Sequence, residues 1–192
     1  MATATHVTTP RHGTMRIGWI GTGIMGGAIS GRLLDAGFPL AVSSRSRSRA
    51  EPLLARGASW GASPADVAGA SDVVFTCVGY PSDVREVVLG PRGALAAMRP
   101  GTILVDMTTS EPSLACTIAE AAVARGVEPL DAPVSGGDIG AREGRLTVMV
   151  GGSAAAIDRL ASVWKVIAGR VVHCGPPGAG QHTKMANQIA IA

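Results

Sequence analysis

The chain has 192 residues, a formal net charge of +3 and a hydrophobic content of 46%. This length is enough to bury one substantial core, and the balance of apolar and charged residues is that of a soluble globular protein rather than a disordered one. No window approaches the roughly 18 uninterrupted apolar residues of a membrane span, and the modest charge does not favour nucleic acid. We therefore expect a soluble protein without a membrane or nucleic-acid partner.

Residues 1–14 are polar and rich in threonine, and they lack the apolar core of a secretion signal. We expect them to form a flexible N-terminal extension of a cytoplasmic protein. The cysteines Cys77, Cys116 and Cys174 are odd in number, widely spaced and embedded in apolar segments. This usage fits core residues in a reducing compartment better than disulfides. No spacing typical of metal ligands appears, so no metal site is predicted.

Residues 16–37 carry the strongest signal, an apolar strand at 16–20, a G-x-G-x-x-G turn and a helix. Gly21, Gly23 and Gly26 would supply the tight turn, the close approach to a pyrophosphate and the close helix packing of a dinucleotide site. The free N–H groups of the helix N-terminus would face the phosphates. An ordinary glycine-rich turn is the alternative. The predicted cofactor-binding residues here are Gly21, Thr22, Gly23, Ile24, Met25 and Gly26.

Apolar runs alternate with helical periodicities along the rest of the chain. Further strands are predicted at 40–43, 72–78, 102–106, 127–131, 146–150 and 169–174, and helices at 47–55, 64–69, 82–88, 111–125, 139–143 and 154–166. Ser63 and Ser110 suit helix N-caps. The alternation predicts an α/β fold, a Rossmann-like doubly wound and mostly parallel sheet. It would have seven or eight strands, of which the last few could run antiparallel.

The segment at 175–180 breaks this pattern, and a helix begins at Gln181 that the end of the sequence interrupts without a glycine cap. Met185, Ile189 and Ile191 give this helix an apolar face. We expect that face to pack against a partner helix or another domain, because a helix of about a dozen residues is marginal without packing.

The end of the second predicted strand bears on the choice of cofactor. A site for NAD carries an acidic residue there, whereas arginine suits the 2′-phosphate of NADP. The sequence offers Ser44, Arg45 and Ser46 and no carboxylate. Arg45 can form charge-assisted hydrogen bonds to the phosphate, and either serine can add a hydroxyl. NADP is therefore preferred over NAD; the alternative is that Arg45 stacks on adenine or faces solvent.

Four further segments resemble the β-hydroxyacid dehydrogenase family over residues 15–192. The segment Asp131-Ala-Pro-Val-Ser-Gly-Gly137 is similar to the substrate-binding signature of that family, and Gly178-Ala-Gly-Gln-His-Thr-Lys-Met-Ala-Asn187 to its catalytic segment. The segments Val78–Val84 and Asp106–Ser110 match its nicotinamide-side loops. The family includes 3-hydroxyisobutyrate dehydrogenases, tartronate semialdehyde reductases and glyoxylate/succinic semialdehyde reductases.

The resemblance implies hydride transfer between NADP(H) and a small β-hydroxy acid or carboxylated aldehyde, with Lys184 as general acid/base. Oxidation of the alcohol needs a base for its proton, and reduction of the aldehyde needs the same group as an acid. A free lysine has a pKa near 10.4, so work near pH 7 requires a lowered pKa. Asn187 lies three positions further on the same helical face and can orient Lys184 or the substrate. A solvent-exposed lysine is the alternative.

Substrate-binding residues are expected at 135–137, after a strand end, where α/β sheets bind ligands. A hydroxyl and backbone N–H groups there could hold a substrate carboxylate; a plain glycine turn is the alternative. The resemblance also implies that Thr108 contacts nicotinamide or substrate and that Cys77 and Val78 line the cofactor groove, although core packing explains Cys77 equally well. The predicted substrate-binding residues are Ser135, Gly136, Gly137, Asn187 and Thr108.

Members of this family continue into an all-helical C-terminal domain that completes the substrate pocket and usually builds the dimer. We expect that domain to be absent here and the chain to divide into the extension at 1–14, an NADP-binding Rossmann-like domain at 15–178 and the start of an interdomain helix at 179–192. Such a chain would bind NADP(H) but turn over substrate poorly, and a homo-oligomer is expected only of a longer protein. An imine reductase-like enzyme, which usually lacks the lysine, and a non-catalytic nucleotide-binding module are the alternatives.

Overall fold

A nine-stranded sheet organises residues 15–190, the part of the chain that this computed structural model describes. The predicted extension at 1–14 and Ile191 lie outside the described residues. The strands are β1 (Ile17–Ile20), β2 (Leu40–Ser43), β3 (Ser59–Trp60), β4 (Val73–Thr76), β5 (Ile103–Asp106), β6 (Glu128–Asp131), β7 (Val134–Ser135), β8 (Leu146–Gly152) and β9 (Ala168–Gly175).

Helices connect these strands and cover both faces of the sheet. The helices are α1 (Ile24–Asp35), α2 (Glu51–Leu54), α3 (Pro64–Gly69), α4 (Pro81–Leu89), α5 (Pro112–Val123), α6 (Gly137–Glu143), α7 (Ala154–Arg159), α8 (Ala161–Ile167) and α9 (Ala179–Ala190), with 3₁₀ turns at Arg47–Arg49 and Ala94–Ala96. Between residues 15 and 190, no helix combines the length and the apolar character needed to cross a membrane.

The sheet has the strand order β3-β2-β1-β4-β5-β6, all parallel, which is the Rossmann order. Strand β8 then runs antiparallel to β6 and β7, and β9 runs parallel to β8. The predicted Rossmann-like fold is therefore confirmed, including the reversed direction of the last strands. The strand count exceeds the prediction because β3 and β7 have two residues each, too few to show an alternating pattern.

Successive residues of the central strands face two hydrophobic cores on opposite sides of the sheet. In β4, Val73 and Phe75 belong to one core and Val74 to the other. On the first side, Trp19 stacks on Phe75 with ring centroids 5.3 Å apart, and Trp164 meets the same ring edge-on at 6.1 Å. This aromatic column lies directly beneath the turn that follows β1, because the Trp19 indole Nε1 donates to the Gly21 carbonyl at 2.9 Å.

Two predicted helices are interrupted, and the physical causes are local. The helix expected at 47–55 is a 3₁₀ turn followed by the four-residue α2, in which Pro52 lacks the N–H that a continuous helix needs. The helix expected at 154–166 is divided at Leu160 into α7 and α8. There the carbonyl of Ile157 accepts the indole N–H of Trp164, 3.0 Å away.

Of the two predicted helix N-caps, one is confirmed and the other is wrong. Ser63 caps α3, since its hydroxyl accepts the backbone N–H of Asp66 at 3.2 Å. Ser110 does not cap α5, because the N-cap is Glu111 and the helix starts at Pro112, whose fixed φ suits a first helical position. The backbone N–H of Ser110 instead donates to the side chain of Gln181.

Candidate active site

The turn between β1 and α1 requires its glycines for different reasons. Gly21 has a φ of +98°, and a Cβ there would lie 2.2 Å from the carbonyl oxygen of Cys77. A Cβ at Gly26 would lie 2.0 Å from the carbonyl oxygen of Gly21, because α1 packs directly on the turn. A Cβ at Gly23 would meet no protein atom within 4 Å. The turn is therefore closed on the protein side and open at Gly23, as a pyrophosphate-binding turn has to be.

Thr22 supplies a second sign that this turn faces a ligand. Its side chain is only 4% exposed, and the hydroxyl Oγ1 has no hydrogen-bond partner among residues 15–190. A buried hydroxyl without a partner costs free energy unless a bound group satisfies it. The neighbouring side chains differ in environment: Ile24 is exposed at the start of α1, whereas Met25 packs partly against the core.

The end of β2 brings the predicted phosphate-binding residues beside this turn. The hydroxyl of Ser44 accepts the backbone N–H of Thr22 at 3.4 Å, and Ser46 is exposed. The Arg45 side chain is 90% exposed, and its Nη1 lies 4.0 Å from the carboxylate of Asp83, near the start of α4. The guanidinium is therefore only loosely paired and free to turn towards an anion.

A groove of about 660 Å³ runs along the start of α1 beside Gly23. Its wall contains Arg49, Arg56 and Arg142, of which Arg142 comes from α6. Arg56 pairs with Asp35 and Arg142 with Asp138, whereas Arg49 has no carboxylate partner among residues 15–190. Sequence reasoning missed the contribution of Arg142, since no local pattern connects residue 142 with the turn at 21–26.

The loops after β4 and β5 are held together by one buried carboxylate. Asp106 accepts the hydroxyl of Thr76 at 2.7 Å and the backbone N–H of Thr108 at 3.0 Å, both at Oδ1. Burial raises the pKa of Asp106 to about 6, although these hydrogen bonds oppose the effect. The hydroxyl of Thr108 in turn accepts the N–H of Val78 at 3.1 Å. The two predicted nicotinamide-side loops therefore form one hydrogen-bonded unit.

Cys77 and the segment 135–137, two other predicted parts of the site, do not belong to this hydrogen-bonded unit. Cys77 is partly buried against the core, and burial raises the pKa of its thiol to about 12, so it is not a reactive thiolate. Ser135 is half-buried in β7, and Gly136 and Gly137 have φ values of +128° and +62° where α6 begins. Within the described residues, no hydrogen bond joins this segment to α9, and β8 connects the two regions.

Helix α9 is fixed at its start by the carboxylate of Asp131. Oδ1 accepts the N–H of Gly178 at 2.7 Å, and Oδ2 accepts the N–H of Gln181 at 2.8 Å. Burial raises the pKa of Asp131, and the backbone hydrogen bonds partly oppose this. A Cβ at Gly180 would lie 2.5 Å from the carbonyl oxygens of Asp131 and Met149, so the helix touches the ends of β6 and β8.

Lys184 lies on the second turn of this helix and is only 8% exposed. Burial lowers its pKa, and its Nζ donates to the side-chain oxygen of Gln188 at 2.8 Å. None of the ion pairs among residues 15–190 involves Lys184. The amide Nδ2 of Asn187 is also buried and has no hydrogen-bond partner in the part of the chain that the structure describes. A lysine with a lowered pKa and an amide donor without a partner thus lie three residues apart on one helix.

In the part of the chain that the structure describes, no group of three or more His, Cys, Asp or Glu side chains is placed to hold a metal ion.

Solved structures with this architecture include those of three other proteins. Psf3 in complex with NADP+ and 2-OPP is 34% identical with a TM-score of 0.87, covering 91% of this chain and 62% of that one. A Mycobacterium tuberculosis 3-hydroxyisobutyrate dehydrogenase with L-serine is 33% identical with a TM-score of 0.87, covering 92% and 60%. A Streptomyces aurantiacus imine reductase is 26% identical with a TM-score of 0.82, covering 92% and 61%.

The sequence comparisons give the same result. The mitochondrial protein named probable 3-hydroxyisobutyrate dehydrogenase-like 1 of Arabidopsis thaliana is 51% identical over 178 residues, which are 92% of this chain and 53% of that relative. The chain thus spans a little over half the length of this relative. The family of the NAD binding domain of 6-phosphogluconate dehydrogenase matches residues 16–175. The resemblance noted in the sequence is confirmed at this level, and the chain belongs to the family of the NAD binding domain of 6-phosphogluconate dehydrogenase.

Proposed function

We propose that this chain is the NADP-binding, lysine-bearing part of an oxidoreductase that acts on a small β-hydroxy acid or the corresponding semialdehyde. The observation that carries the proposal is the pair on α9, a buried Lys184 with a lowered pKa and the unpartnered amide of Asn187. Gln181 in the first turn of the helix donates to the carbonyl of Thr108, and the two groups follow it by three and six residues.

The residues around the glycine turn fit a dinucleotide. The open side of Gly23 and the N–H groups at the start of α1 would hold the pyrophosphate, and the unpartnered hydroxyl of Thr22 would find an acceptor there. Arg45, with Ser44 and Ser46 beside it, would bind the 2′-phosphate and favour NADP over NAD. When bound, the nicotinamide ring supplies the hydride acceptor or donor.

The side chains on α9 would handle the proton and the substrate. In oxidation, neutral Lys184 would accept the proton of the substrate hydroxyl; in reduction, protonated Lys184 would return it. The amide of Asn187 would donate to the substrate oxygen, and Thr108 would border the reacting carbon. Ser135, Gly136 and Gly137 would bind the substrate carboxylate. The related dehydrogenase whose structure contains L-serine supports a small substrate with a carboxylate and a β-hydroxyl.

The same proposal covers the organisation of the chain. Residues 15–178 would form the cofactor domain and residues 179–192 the start of an interdomain helix, with a longer protein completing the pocket and forming a homo-oligomer. The exposed Met185 and Ile189 on α9 support such a neighbour. Lys184 with Asn187 favours a dehydrogenase over an imine reductase or a non-catalytic nucleotide-binding module.

The activity is tested with Lys184→Met, which removes the amine and keeps the length of the side chain. In the longer protein, whose further domain would complete the pocket, we expect reduction of succinic semialdehyde with NADPH to fall at least 100-fold, the usual scale for loss of a general acid, while the affinity for NADP+ stays within about twofold. The matched control is Lys165→Met on α8, an exposed lysine, which should retain the wild-type rate. Equal rates for wild type and Lys184→Met would reject the role, and faster turnover of a cyclic imine would favour the imine reductase.

Cofactor preference is tested by titrating NADP+ and NAD+ against Arg45→Ala. We expect at least a tenfold loss of NADP+ affinity, about 1.4 kcal/mol, and less than a twofold change for NAD+. Arg47→Ala is the control, because Arg47 is occupied by Glu51 and by the ring of Trp60. Equal losses for both cofactors in Arg45→Ala would mean that the residue does not recognise the 2′-phosphate.

A further inference from the structure

Gln181 is a buried polar residue inside the segment Gly178–Asn187, to which the motif assigns no role. It lies in the first turn of α9 and is only 2% exposed. Its side-chain oxygen accepts the backbone N–H of Ser110 at 2.9 Å, and its side-chain nitrogen donates to the carbonyl of Thr108 at 2.7 Å. One amide therefore binds both a donor and an acceptor of the loop after β5.

The contacts of Gln181 extend to the cofactor side of the site. The hydroxyl of Thr108 accepts the N–H of Val78, so hydrogen bonds run from the loop after β4 through the loop after β5 to α9. Lys184 follows Gln181 by three residues and lies on the same helical face. The side chain of Gln181 thus connects the nicotinamide-side loops with the turn of helix that carries the lysine.

Two attachments on different strands define the orientation of α9. The carboxylate of Asp131, at the end of β6, holds the backbone of the helix start. This attachment and the close packing of Gly180 against β6 and β8 fix the first turn of the helix. The side chain of Gln181 adds an attachment to the loop after β5, the neighbouring strand in the sheet. Together they determine where the next turn, and with it the Nζ of Lys184, lies.

We propose that Gln181 is a positioning residue that sets the place of Lys184 relative to the nicotinamide-side loop. The proposal rests on the proposed function of Lys184, but it concerns the environment of the amine and can be measured without turnover. Glutamine suits this role because the loop presents one donor and one acceptor side by side. Methionine has a similar length and offers neither, and asparagine keeps the amide but is one methylene shorter.

The environment of Lys184 can be measured by lysine acetylation, because the sequence contains only two lysines, Lys165 and Lys184. Acetic anhydride at trace level acetylates neutral amines, and peptide mass spectrometry gives the labelling of each lysine as a function of pH. Exposed Lys165 on α8 is the internal reference. In the wild-type chain, burial should make Lys184 react slowly and should lower its pKa from the ordinary value of a lysine.

In Gln181→Met and Gln181→Asn, we expect the labelling rate of Lys184 at pH 8 to change at least threefold and the titration midpoint of Lys184 to rise. His182→Gln, at the exposed neighbouring position, is the control and should match the wild type. Circular dichroism identifies the variants that fold. Because asparagine is shorter and methionine is apolar, the two substitutions perturb the fold differently, and one folded variant is enough for the test. With NADPH and succinic semialdehyde, the folded variants should lose kcat by at least tenfold and keep the KM for NADPH within threefold.

An unchanged labelling profile of Lys184 in the folded variants would overturn the proposal. So would a loss of thermal stability without a change in that profile, since it would mean that Gln181 only stabilises the fold. These outcomes differ from failure of the proposed function, which would appear as activity that survives Lys184→Met.

Discussion

At the scale of single residues, Gly23 and Gly26 differ in what a methyl group would meet. A Cβ at Gly26 would lie 2.0 Å from the Gly21 carbonyl and 2.9 Å from the Trp19 indole, whereas a Cβ at Gly23 would meet nothing. We expect Gly26→Ala to lower the free energy of unfolding by about 1–3 kcal/mol, as overpacking does. Gly23→Ala should cost less than about 1 kcal/mol but weaken NADP+ binding at least tenfold.

Urea denaturation and NADP+ titration of the two variants test this prediction. Each variant is the control for the other, because both replace a glycine of the same turn by the same residue. The interpretation of the turn would be wrong if Gly23→Ala bound NADP+ as tightly as the wild-type chain, or if Gly26→Ala were as stable as Gly23→Ala.

Asp106 gives a prediction for pH. Its pKa is raised from 3.8 to about 6 by burial, so the folded chain binds this proton more tightly than the unfolded chain. The stability that the group contributes is present below pH 4 and is lost as the pH rises to about 6, on the order of 3 kcal/mol in all. In Asp106→Asn the amide oxygen can keep both hydrogen bonds, since both are made at Oδ1.

Urea denaturation of wild type and Asp106→Asn between pH 4.5 and 8 measures this effect. We expect the unfolding free energy of the wild-type chain to fall relative to the variant as the pH rises to about 6, and the difference to stay constant above that. Taking the difference removes most of the contributions of other carboxylates. A difference independent of pH would show that Asp106 titrates normally.

The site residues that could be predicted from the sequence are those that belong to a short motif. Gly21, Gly23 and Gly26 stand in one turn, and Lys184 and Asn187 share a motif of ten residues. Gln181 was missed because its partner Thr108 is 73 positions away in the sequence, and such a pairing leaves no periodic pattern. The lowered pKa of Lys184 could be required by the chemistry in advance, but its cause, burial against the sheet, could be read only from the fold.

At the scale of elements, the start of α9 depends on one carboxylate. Each oxygen of Asp131 accepts a different backbone N–H, from Gly178 and from Gln181. In Asp131→Asn one of those N–H groups would face the side-chain NH₂ instead of an acceptor. We expect a loss of about 1–3 kcal/mol in the free energy of unfolding, with faster acetylation of Lys184 because the helix start is loosened.

Ser153→Ala is the matched control, because Ser153 caps α7 in the ordinary way through the N–H of Ala156. Its loss should cost about 1 kcal/mol and leave the acetylation of Lys184 unchanged. Equal effects of the two substitutions on Lys184 would show that the lysine responds to general destabilisation and not to the anchoring of its helix.

Helices and strands with a clear hydrophobic pattern were predicted from the sequence. Elements that depend on pairing or packing with other segments were not. The strands β1, β2, β4 and β5 are apolar runs with buried residues, and their positions follow from the sequence. Strands β3 and β7 have only two residues and exist because a neighbouring strand pairs with them. The division between α7 and α8 arises from the contact of Trp164 with Ile157, which a helical periodicity cannot show.

At the scale of the whole molecule, the two cores share the strands that carry the site. Alternate residues of β4 and β5 enter opposite cores, and the loops after these strands hold Val78 and Thr108. Loss of either core would therefore remove the support of the other and of the cofactor turn. We expect a single cooperative unfolding transition, as is usual for one domain of this size.

NADP+ provides the test of this cooperativity, because a ligand that binds only the folded chain stabilises whatever unfolds together with its site. At 100 times its dissociation constant it should add about 2.7 kcal/mol to the free energy of unfolding. Tryptophan fluorescence reports mainly on the core that contains Trp19 and Trp164, whereas far-UV circular dichroism reports on the helices of both faces. The two urea curves should coincide without NADP+ and shift together with it. If only the fluorescence curve shifts, the core beneath α3, α4 and α5 unfolds separately, and the link between the cores through the shared strands is too weak to make one unit.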